Sequence, residues 1–227
     1  MTDAFPATDR NRVRRYASRG RYDKATIYAI LDEGMVCHVA FVQEGRPMVI
    51  PTLYARRGDA LLLHGAVGSN LLRHIGAGGE VAVSVALVDG LVVTKAIGDL
   101  SVNYRSVVLF GRGRLLEDLA EKRAALYHLT ERLVPGQWQA VNAPAEAALH
   151  SVAVAEIAIE SASAKVRATL PADQPPNRDL PVWAGYVPIA QTFGEPQTMD
   201  YAAGTPMPEA LQNYLARHAQ PPRGFKE

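Results

Sequence analysis

Alternating apolar and polar residues dominate the first two thirds of the chain and predict many short strands. The strand-like runs are 36–42, 47–54, 60–64, 80–88, 91–97, 104–115, 151–159 and 182–189. Turn residues separate them, and Asp89-Gly90 between two β-rich runs is typical of a hairpin. Short strands joined by tight turns pair antiparallel, so the pattern predicts a meander or a barrel.

Helical spacing of apolar residues predicts helices over 23–32, 118–134 and 209–218. Asp23 is placed to cap the first helix. Asp118 with Glu121 forms a capping-box pattern at the start of the second. The alternation slips between Val154 and Ile157, which predicts a β-bulge in that strand. The tract 171–181 is rich in proline and predicts an extended surface connection.

Length and composition indicate one compact domain with extensions. The chain has 227 residues, of which 48% are hydrophobic and 21% charged. The division we predict is a basic N-terminal arm over 1–22, a barrel domain over 23–190 and a C-terminal extension over 191–227. The basic residues of the arm are Arg10, Arg12, Arg14, Arg15, Arg19 and Arg21. A basic run this short usually faces solvent, and binding of a phosphate or polyanion is the less favoured interpretation.

Charge and cysteine content exclude several classes of function. The formal net charge is +1, which gives no argument for nucleic acid or a membrane surface. The only cysteine, Cys37, lies among apolar residues and cannot form an internal disulfide, which fits a buried thiol in a reducing cytoplasm. The six histidines show no paired spacing, so the sequence predicts no metal site.

The stretch from His64 to Asn70 is a first candidate binding segment. It contains Gly65, Gly68 and Ser69 between a strand and a helix start, an arrangement that points backbone N–H groups at an anion. It matches neither a P-loop nor a dinucleotide fingerprint. An ordinary strand-to-helix turn in which Ser69 caps the helix therefore stays open as the alternative.

The second candidate segment is Asn103-Tyr104-Arg105-Ser106, which leads into a β-branched strand. Arg105 offers a planar fork of donors that suits a phosphate or a ring carbonyl. The alternative is that Arg105 forms a salt bridge at the end of a strand.

Two further features give weaker evidence of a binding site. Lys165 and Arg167 alternate along a strand and point to one face, either as an anion-binding face or as a solvated edge, and base rates favour the edge. Trp183 lies between Pro181 and Gly185, where it is able to cover a ring system or simply pack.

At these motifs the chain resembles the flavin-nucleotide-binding split-barrel proteins related to pyridoxamine 5′-phosphate oxidase, and within them the nitroimidazole-resistance-like branch. The resemblance covers roughly residues 10 to 190, and its value lies in the order and number of the motifs. In chain order they are Ala29-Ile30-Leu31-Asp32-Glu33-Gly34, Pro47-Met48-Val49-Ile50-Pro51-Thr52-Leu53-Tyr54, His64-Gly65 with Ser69-Asn70, Val88-Asp89-Gly90-Leu91-Val92, Asn103-Tyr104-Arg105-Ser106-Val107-Val108, Leu133-Val134-Pro135-Gly136, Ala164-Lys165-Val166-Arg167 and Pro181-Val182-Trp183-Ala184-Gly185.

The resemblance implies a mainly β fold of the α+β type: a six-stranded antiparallel split β-barrel with peripheral helices. It also implies a homodimer with one FMN per subunit at the interface. The residues lining the flavin ring are implied to be Ile50, Pro51, Thr52 and Leu53. Those on the ribityl-phosphate side are His64, Gly65, Ser69 and Asn70, and those at the dimer interface are Asn103, Tyr104, Arg105 and Ser106, with Trp183 near the ring or its entry.

The function implied is that of a cytoplasmic flavoprotein, an oxidoreductase that transfers hydride or electrons at flavin N5 to or from a small molecule. In such an enzyme the cofactor supplies the chemistry, so no general base is required. His64 and Arg105 are the candidates for tuning the flavin or contacting the substrate.

Two departures from the family pattern bear on this prediction. Ser69-Asn70 stands where Ser-Arg or Ser-Lys is common, which removes one phosphate-facing charge. Asp99-Leu100 stands where two histidines are common, which weakens the transfer of redox chemistry from that branch. The alternatives are a pyridoxamine-phosphate-type oxidase, a haem-binding protein and a non-catalytic flavin carrier.

Overall fold

The computed structural model describes residues 3–142 and 144–218, so the last nine residues of the predicted C-terminal extension lie outside it. The strands are β1 Gly20–Arg21, β2 Val36–Gln43, β3 Arg46–Leu53, β4 Ala55–Arg57, β5 Ala60–Ala66, β6 Glu80–Val93, β7 Ser101–Leu115, β8 Val152–Ala158, β9 Ser161–Arg167 and β10 Gly185–Pro188. The helices are α1 Lys24–Glu33, α2 Asn70–Gly76, α3 Leu119–Leu133, α4 Gln137–Ala140, α5 Glu146–Ser151, α6 Pro175–Arg178 and α7 Glu209–His218.

All strand pairs are antiparallel, and the main path through the sheet runs β3-β2-β6-β7-β8-β5-β4. Strand β9 pairs with β7, β1 with β9 and β10 with β6. The predicted split β-barrel with peripheral helices is confirmed. The described residues form ten strands rather than six, because short strands such as β1, β4 and β10 pair at the margins, and the sheet is not closed by hydrogen bonds.

The long strand β7 belongs to both halves of the split sheet. Its residues 104–110 pair with β9, and its residues 113–115 pair with β8. Gly111 lies at the change of partner, where an added Cβ would stand 1.8 Å from the carbonyl oxygen of Ala158. A side chain at this position would force the two strands apart, so glycine is required by the close approach.

The main core lies inside the barrel, where α1 and α2 contribute Ile27, Ile30 and Ile75 with almost no exposed surface. A second core forms where α3 packs on β5 and β8, and it includes Leu129 and Val154. Complete burial of each of these aliphatic side chains contributes about 1.5–3 kcal/mol.

Strand β8 has no bulge, contrary to the prediction. Its register with β5 is continuous from Ala60↔Ala158 to Ala66↔Val152. Val154 faces the α3 core and Ile157 faces the barrel core, so apolar residues occupy both faces of the strand. The slip in the alternation therefore reflects burial on both sides.

The predicted hairpin at Asp89-Gly90 is also wrong. Both residues lie inside β6, which continues to Val93, and the register with β7 shifts between Val88 and Gly90 as in a β-bulge. Gly90 is needed there because the ring of Tyr186 would lie 2.5 Å from an added Cβ. The chain reverses direction at residues 94–100 instead. The shift in register at Asp89-Gly90 is therefore a β-bulge beside β10.

The predicted helix caps are confirmed. The Asp23 carboxylate accepts a hydrogen bond from the Thr26 N–H at 2.8 Å, and Asp118 accepts one from the Glu121 N–H at 2.8 Å. The C-terminal helix α7 is present and lines a cleft with this chain's own barrel. Among the residues described, no helix has the length and apolar character needed to cross a membrane.

Candidate functional site

The end of β3 and the end of β5 lie side by side. Strand β4 follows β3 after one residue and pairs with β5 through Ala55↔Leu62. The later residues of β5, which include His64, are therefore carried back along β3, and the two strands contact each other. This arrangement brings the first two predicted groups together. We call Ile50, Pro51, Thr52, Leu53, His64, Gly65, Ser69 and Asn70 the β3–β5 cluster.

The four β3 residues of this cluster face two ways. Pro51 and Leu53 pair with exposed residues of β2 and so point outward, and Leu53 is 37% exposed. Ile50 and Thr52 pair with buried residues of β2 and point to the barrel side. Because β3 is an edge strand of the sheet path, part of its backbone N–H and C=O groups have no strand partner. Those groups are the ones expected to meet a flavin ring.

The segment after β5 supplies polar groups and an arginine that the sequence analysis missed. His64 is exposed, and its ring forms no hydrogen bond with a described residue. Ser69 caps α2, since its Oγ accepts from the Leu72 N–H at 3.5 Å. The Asn70 side-chain oxygen accepts a hydrogen bond from the guanidinium of Arg73, one helical turn later. Arg73 therefore supplies a cation beside the position where family members carry a basic residue. The spacing of three residues between Asn70 and Arg73 could have predicted this contact, because residues i and i+3 of a helix are neighbours on its surface.

The second predicted group, at the start of β7, divides between the two faces of its strand. Tyr104 and Ser106 point outward, whereas Arg105 points to the end of the barrel where α1 finishes. Ser106 Oγ donates to the carbonyl of Lys165 on β9 at 3.4 Å.

Arg105 is held by two carboxylates of its own chain. Its Nη2 lies 2.7 Å from Glu33 Oε1 and 2.6 Å from Asp89 Oδ1, and its Nε donates to both Asp89 oxygens at 3.0 and 3.1 Å. These hydrogen bonds, to Glu33 first and Asp89 second, raise the pKa of Arg105. The hydrogen bond from Arg105 also lowers the pKa of Glu33. The salt-bridge alternative for Arg105 is the arrangement observed, and its role toward a cofactor stays a prediction.

Asn103 is buried, with 1% of its surface exposed, and its amide is used inside the chain. Its Nδ2 donates to the Thr169 carbonyl at 2.9 Å, and its Oδ1 accepts from Thr169 N–H at 3.2 Å and from Arg167 Nη1 at 2.9 Å. Asn103 therefore positions the guanidinium of Arg167, and its predicted contact with a flavin stays a prediction.

Trp183 lies on the segment that leads into β10. It is 63% exposed, and its ring lies against Gly185, which pairs with Val93 near the far end of β6. An exposed indole here is available to a second molecule, and the predicted contact with the flavin stays a prediction.

Five adjacent strands, β3, β2, β6, β7 and β9, present one outward surface that no other part of the described chain fully covers. Its apolar side chains include Val49, Val88 and Val108, which are 58%, 50% and 40% exposed. Several exposed apolar side chains on one sheet face are typical of an interaction site. We call it the open sheet face, and its members are Val36, His38, Val49, Pro51, Leu53, Ser84, Ala86, Val88, Tyr104, Ser106 and Val108.

Within one chain the two predicted groups do not contact each other. Pro51 is opposite His38, which is opposite Ser84, which is opposite Val108. Three strand spacings separate Pro51 from Val108, about 14 Å. Ser106 lies two residues from Val108 on the same face of β7, so within one chain the two groups lie on opposite sides of this surface.

A cleft of about 730 Å³ lies at the end of the barrel beside the Arg105 ion pairs. Its far wall comes from the C-terminal extension, where Phe193, Tyr214 and His218 form an aromatic cluster with ring centroids 4.4–5.9 Å apart. Of the predicted site residues, Arg105 alone lines this cleft, whose two walls are far apart in sequence.

Comparison with known proteins identifies the family. The model of the pyridoxamine 5′-phosphate oxidase family matches residues 23–166. The chain therefore belongs to this family, a flavin-binding one. A search of curated proteins found no match.

Among solved structures, the flavocytochrome Anf3 from Azotobacter vinelandii is 34% identical, covers 91% of this chain and 96% of its own, and superposes with a TM-score of 0.84. The FAD- and haem-binding protein from Mycobacterium smegmatis is 33% identical, with coverages of 86% and 96% and a TM-score of 0.81. A putative 5-nitroimidazole antibiotic resistance protein from Bacteroides thetaiotaomicron shares the fold at 23% identity, with coverages of 63% and 84% and a TM-score of 0.56.

Proposed function

We propose that the protein is a flavin-dependent oxidoreductase that works as a homodimer, with the flavin between the β3–β5 cluster of one copy and the open sheet face of the other. The observation that carries this proposal is the open sheet face itself. It exposes a broad apolar surface, and the two predicted groups of cofactor residues lie about 14 Å apart across it. A second copy docked on this face would bury the apolar surface and bring the groups together.

The residues of the β3–β5 cluster fit a flavin nucleotide. Free backbone groups on the edge of β3 suit the polar rim of the ring. The hydroxyl of Ser69 and the guanidinium of Arg73 suit the phosphate. A bound flavin would supply the hydride and electron transfer, while the chain orients it and limits access of water.

FAD is the flavin we favour. Sequence analysis predicts FMN, but the Mycobacterium smegmatis relative that binds FAD and haem is similar to this chain over 86% of its length. The similarity to this relative therefore covers more of the chain than the family match over residues 23–166 does. The mass of the flavin released on denaturation distinguishes FAD from FMN.

Haem is the second cofactor to test. Both relatives at one-third identity are named as a flavocytochrome or a haem-binding protein. Where histidine is the axial ligand, the haem iron needs an imidazole nitrogen that the chain does not already use. His74 and His128 use Nε2 on backbone carbonyls, whereas the rings of His38 and His64 form no hydrogen bond with a described residue. A Soret band in the visible spectrum, lost in one of the His38→Ala or His64→Ala proteins, would support haem.

The dimer and the flavin are tested together by charge substitution on the open sheet face. Val108→Arg should give a monomer that has lost its flavin, because burial of an unpaired guanidinium in an apolar interface is strongly unfavourable. Val141→Arg is the matched control, since Val141 is also exposed but lies between α4 and α5. Light scattering and the flavin-to-protein absorbance ratio give the two readouts. A Val108→Arg monomer with full flavin content, or wild-type protein that purifies without flavin, would overturn the proposal.

A further inference from the structure

Four cations gather on the outer side of β9 and the N-terminal arm without a carboxylate among them. Arg15, Arg19 and Lys165 lie 5.3, 4.3 and 5.8 Å from the centroid of the Tyr16 ring. Arg167 is two residues beyond Lys165 on the same face of β9. We call these four residues and Tyr16 the cationic patch.

The four cations of this patch lack acidic partners in the described chain, as Arg46 and Arg73 also do, but here three of them lie close together around one ring. None of its four cations forms an ion pair with a carboxylate in residues 3–142 and 144–218. Elsewhere the arginines that pair with carboxylates are Arg10, Arg14, Arg56, Arg57, Arg105, Arg112 and Arg114. Like charges held close together without counter-charge repel one another, and a bound anion removes that cost.

The local backbone and hydrogen bonds hold the patch in place. Tyr16 has φ 55° and ψ 56°, the left-handed region that a bulky side chain rarely adopts. Arg167 uses only Nη1 within the described chain, on Asn103 Oδ1 at 2.9 Å and the Val102 carbonyl at 3.2 Å. Its remaining donors are therefore free for a ligand, while the buried amide of Asn103 fixes its position.

The electrostatic surroundings agree with this geometry. The pKa of Arg167 is lowered, first by burial and then by the charge of Arg19. The pKa of Tyr16 is lowered by a hydrogen bond from Arg15 and by the charges of Arg15, Arg19 and Lys165. Positive potential thus acts on Arg167 and on Tyr16.

We propose that the cationic patch is a binding site for a phosphate-bearing ligand, with a pyrophosphate as its best match. Several cations around one point call for a ligand with more than one negative charge, and the guanidinium fork matches phosphate oxygens in pairs. The ligand is either the pyrophosphate of the flavin dinucleotide that the β3–β5 cluster of the other copy holds, or that of a separate dinucleotide such as an electron donor. The first source rests on the proposed function, and the second does not.

Calorimetric titration of the purified protein, with whatever cofactor it carries, with inorganic pyrophosphate at low ionic strength tests the site. If the ligand is separate, wild-type protein binds pyrophosphate, and Arg19→Gln with Lys165→Gln weakens binding about tenfold for each cation removed. If the site holds the flavin's own pyrophosphate, wild-type protein does not bind added pyrophosphate and the double variant loses flavin. Arg46→Gln, which removes one positive charge from the exposed start of β3, should alter neither readout.

The proposal is overturned if the double variant keeps both its flavin and its pyrophosphate affinity, if wild-type protein neither binds pyrophosphate nor carries flavin, or if Arg46→Gln weakens binding as much as the double variant. Protein that purifies without flavin but binds pyrophosphate through Arg19 and Lys165 would reject the proposed function and leave this site standing. The two proposals therefore fail separately.

Discussion

The Arg105 ion pairs and the cationic patch lie on opposite faces of the same two strands. They differ in whether carboxylates of the chain balance the positive charge. Arg105 points to the barrel end, where Glu33 and Asp89 balance its charge. Lys165 and Arg167 point outward, where the described chain offers them no carboxylate. A cation whose charge the chain neutralises contributes to stability, whereas one whose charge is left unbalanced is available to a ligand. The contrast assigns a mainly structural role to the first site and a binding role to the second.

Arg105→Gln should produce the largest loss of stability. It leaves Asp89, only 27% exposed, without its partner, and we expect a loss of about 2 kcal/mol, between the values for exposed and buried pairs. Urea unfolding measures this loss. The control is Arg114→Gln, whose ion pairs with Glu121 and Glu156 are made by an exposed guanidinium and should contribute less to stability. Unchanged stability together with loss of flavin would instead make Arg105 a cofactor ligand.

Asn103→Ala should affect both stability and ligand binding, because Asn103 links the fold to the patch. Removal of a buried amide that makes several hydrogen bonds costs about 1 kcal/mol. It also releases Arg167, so pyrophosphate affinity should fall severalfold. Ile30→Val in the barrel core has a similar cost in stability and no contact with the patch, so its pyrophosphate affinity should equal that of wild type. If Asn103→Ala binds pyrophosphate as tightly as wild type does, Asn103 does not position Arg167 for the ligand.

Acid should weaken the Arg105 site selectively. Arg105 lowers the pKa of Glu33 from its ordinary 4.5, so the unfolded chain binds more protons than the folded one near that pH. The stability from this pair is fully present above about pH 4.5 and is lost as pH falls through the lower folded pKa. Glu33 is 54% exposed, so we expect less than about 1 kcal/mol.

Urea unfolding at neutral and acidic pH, with wild type and Arg105→Gln compared, isolates this contribution. The difference in stability between the two proteins should shrink toward acid. A difference that is constant with pH would show that the carboxylate of Glu33 contributes nothing through its charge.

Sequence analysis predicted the split barrel correctly because strand alternation, caps and motif order are local properties. It failed at Asp89-Gly90, where the same dipeptide that favours a hairpin forms a bulge inside β6. It also favoured Arg105 as a ligand and treated Lys165 and Arg167 as a solvated edge. Whether an arginine binds a ligand or forms an ion pair depends on which carboxylates lie near it in the fold. Glu33, which pairs with Arg105, is 72 residues away from it in the sequence. No spacing rule reports such a contact.

Ser106→Asp should give Lys165 of the patch a carboxylate partner, as Arg105 already has. Of the substitutions considered, it should change the stability least. Ser106 is directly opposite Lys165 and shares its face. A carboxylate there forms a cross-strand pair that contributes a few tenths of a kcal/mol and offsets the lost hydrogen bond from Ser106 Oγ to the Lys165 carbonyl, so the thermal midpoint should change little. It should also lower pyrophosphate affinity severalfold, because the added charge competes with the ligand for the same cations. Ser106→Asn, of similar size but neutral, should change neither quantity. If Ser106→Asp binds pyrophosphate as well as wild type does, the unbalanced charge of Lys165 is not what attracts the anion, and the contrast between the two faces fails.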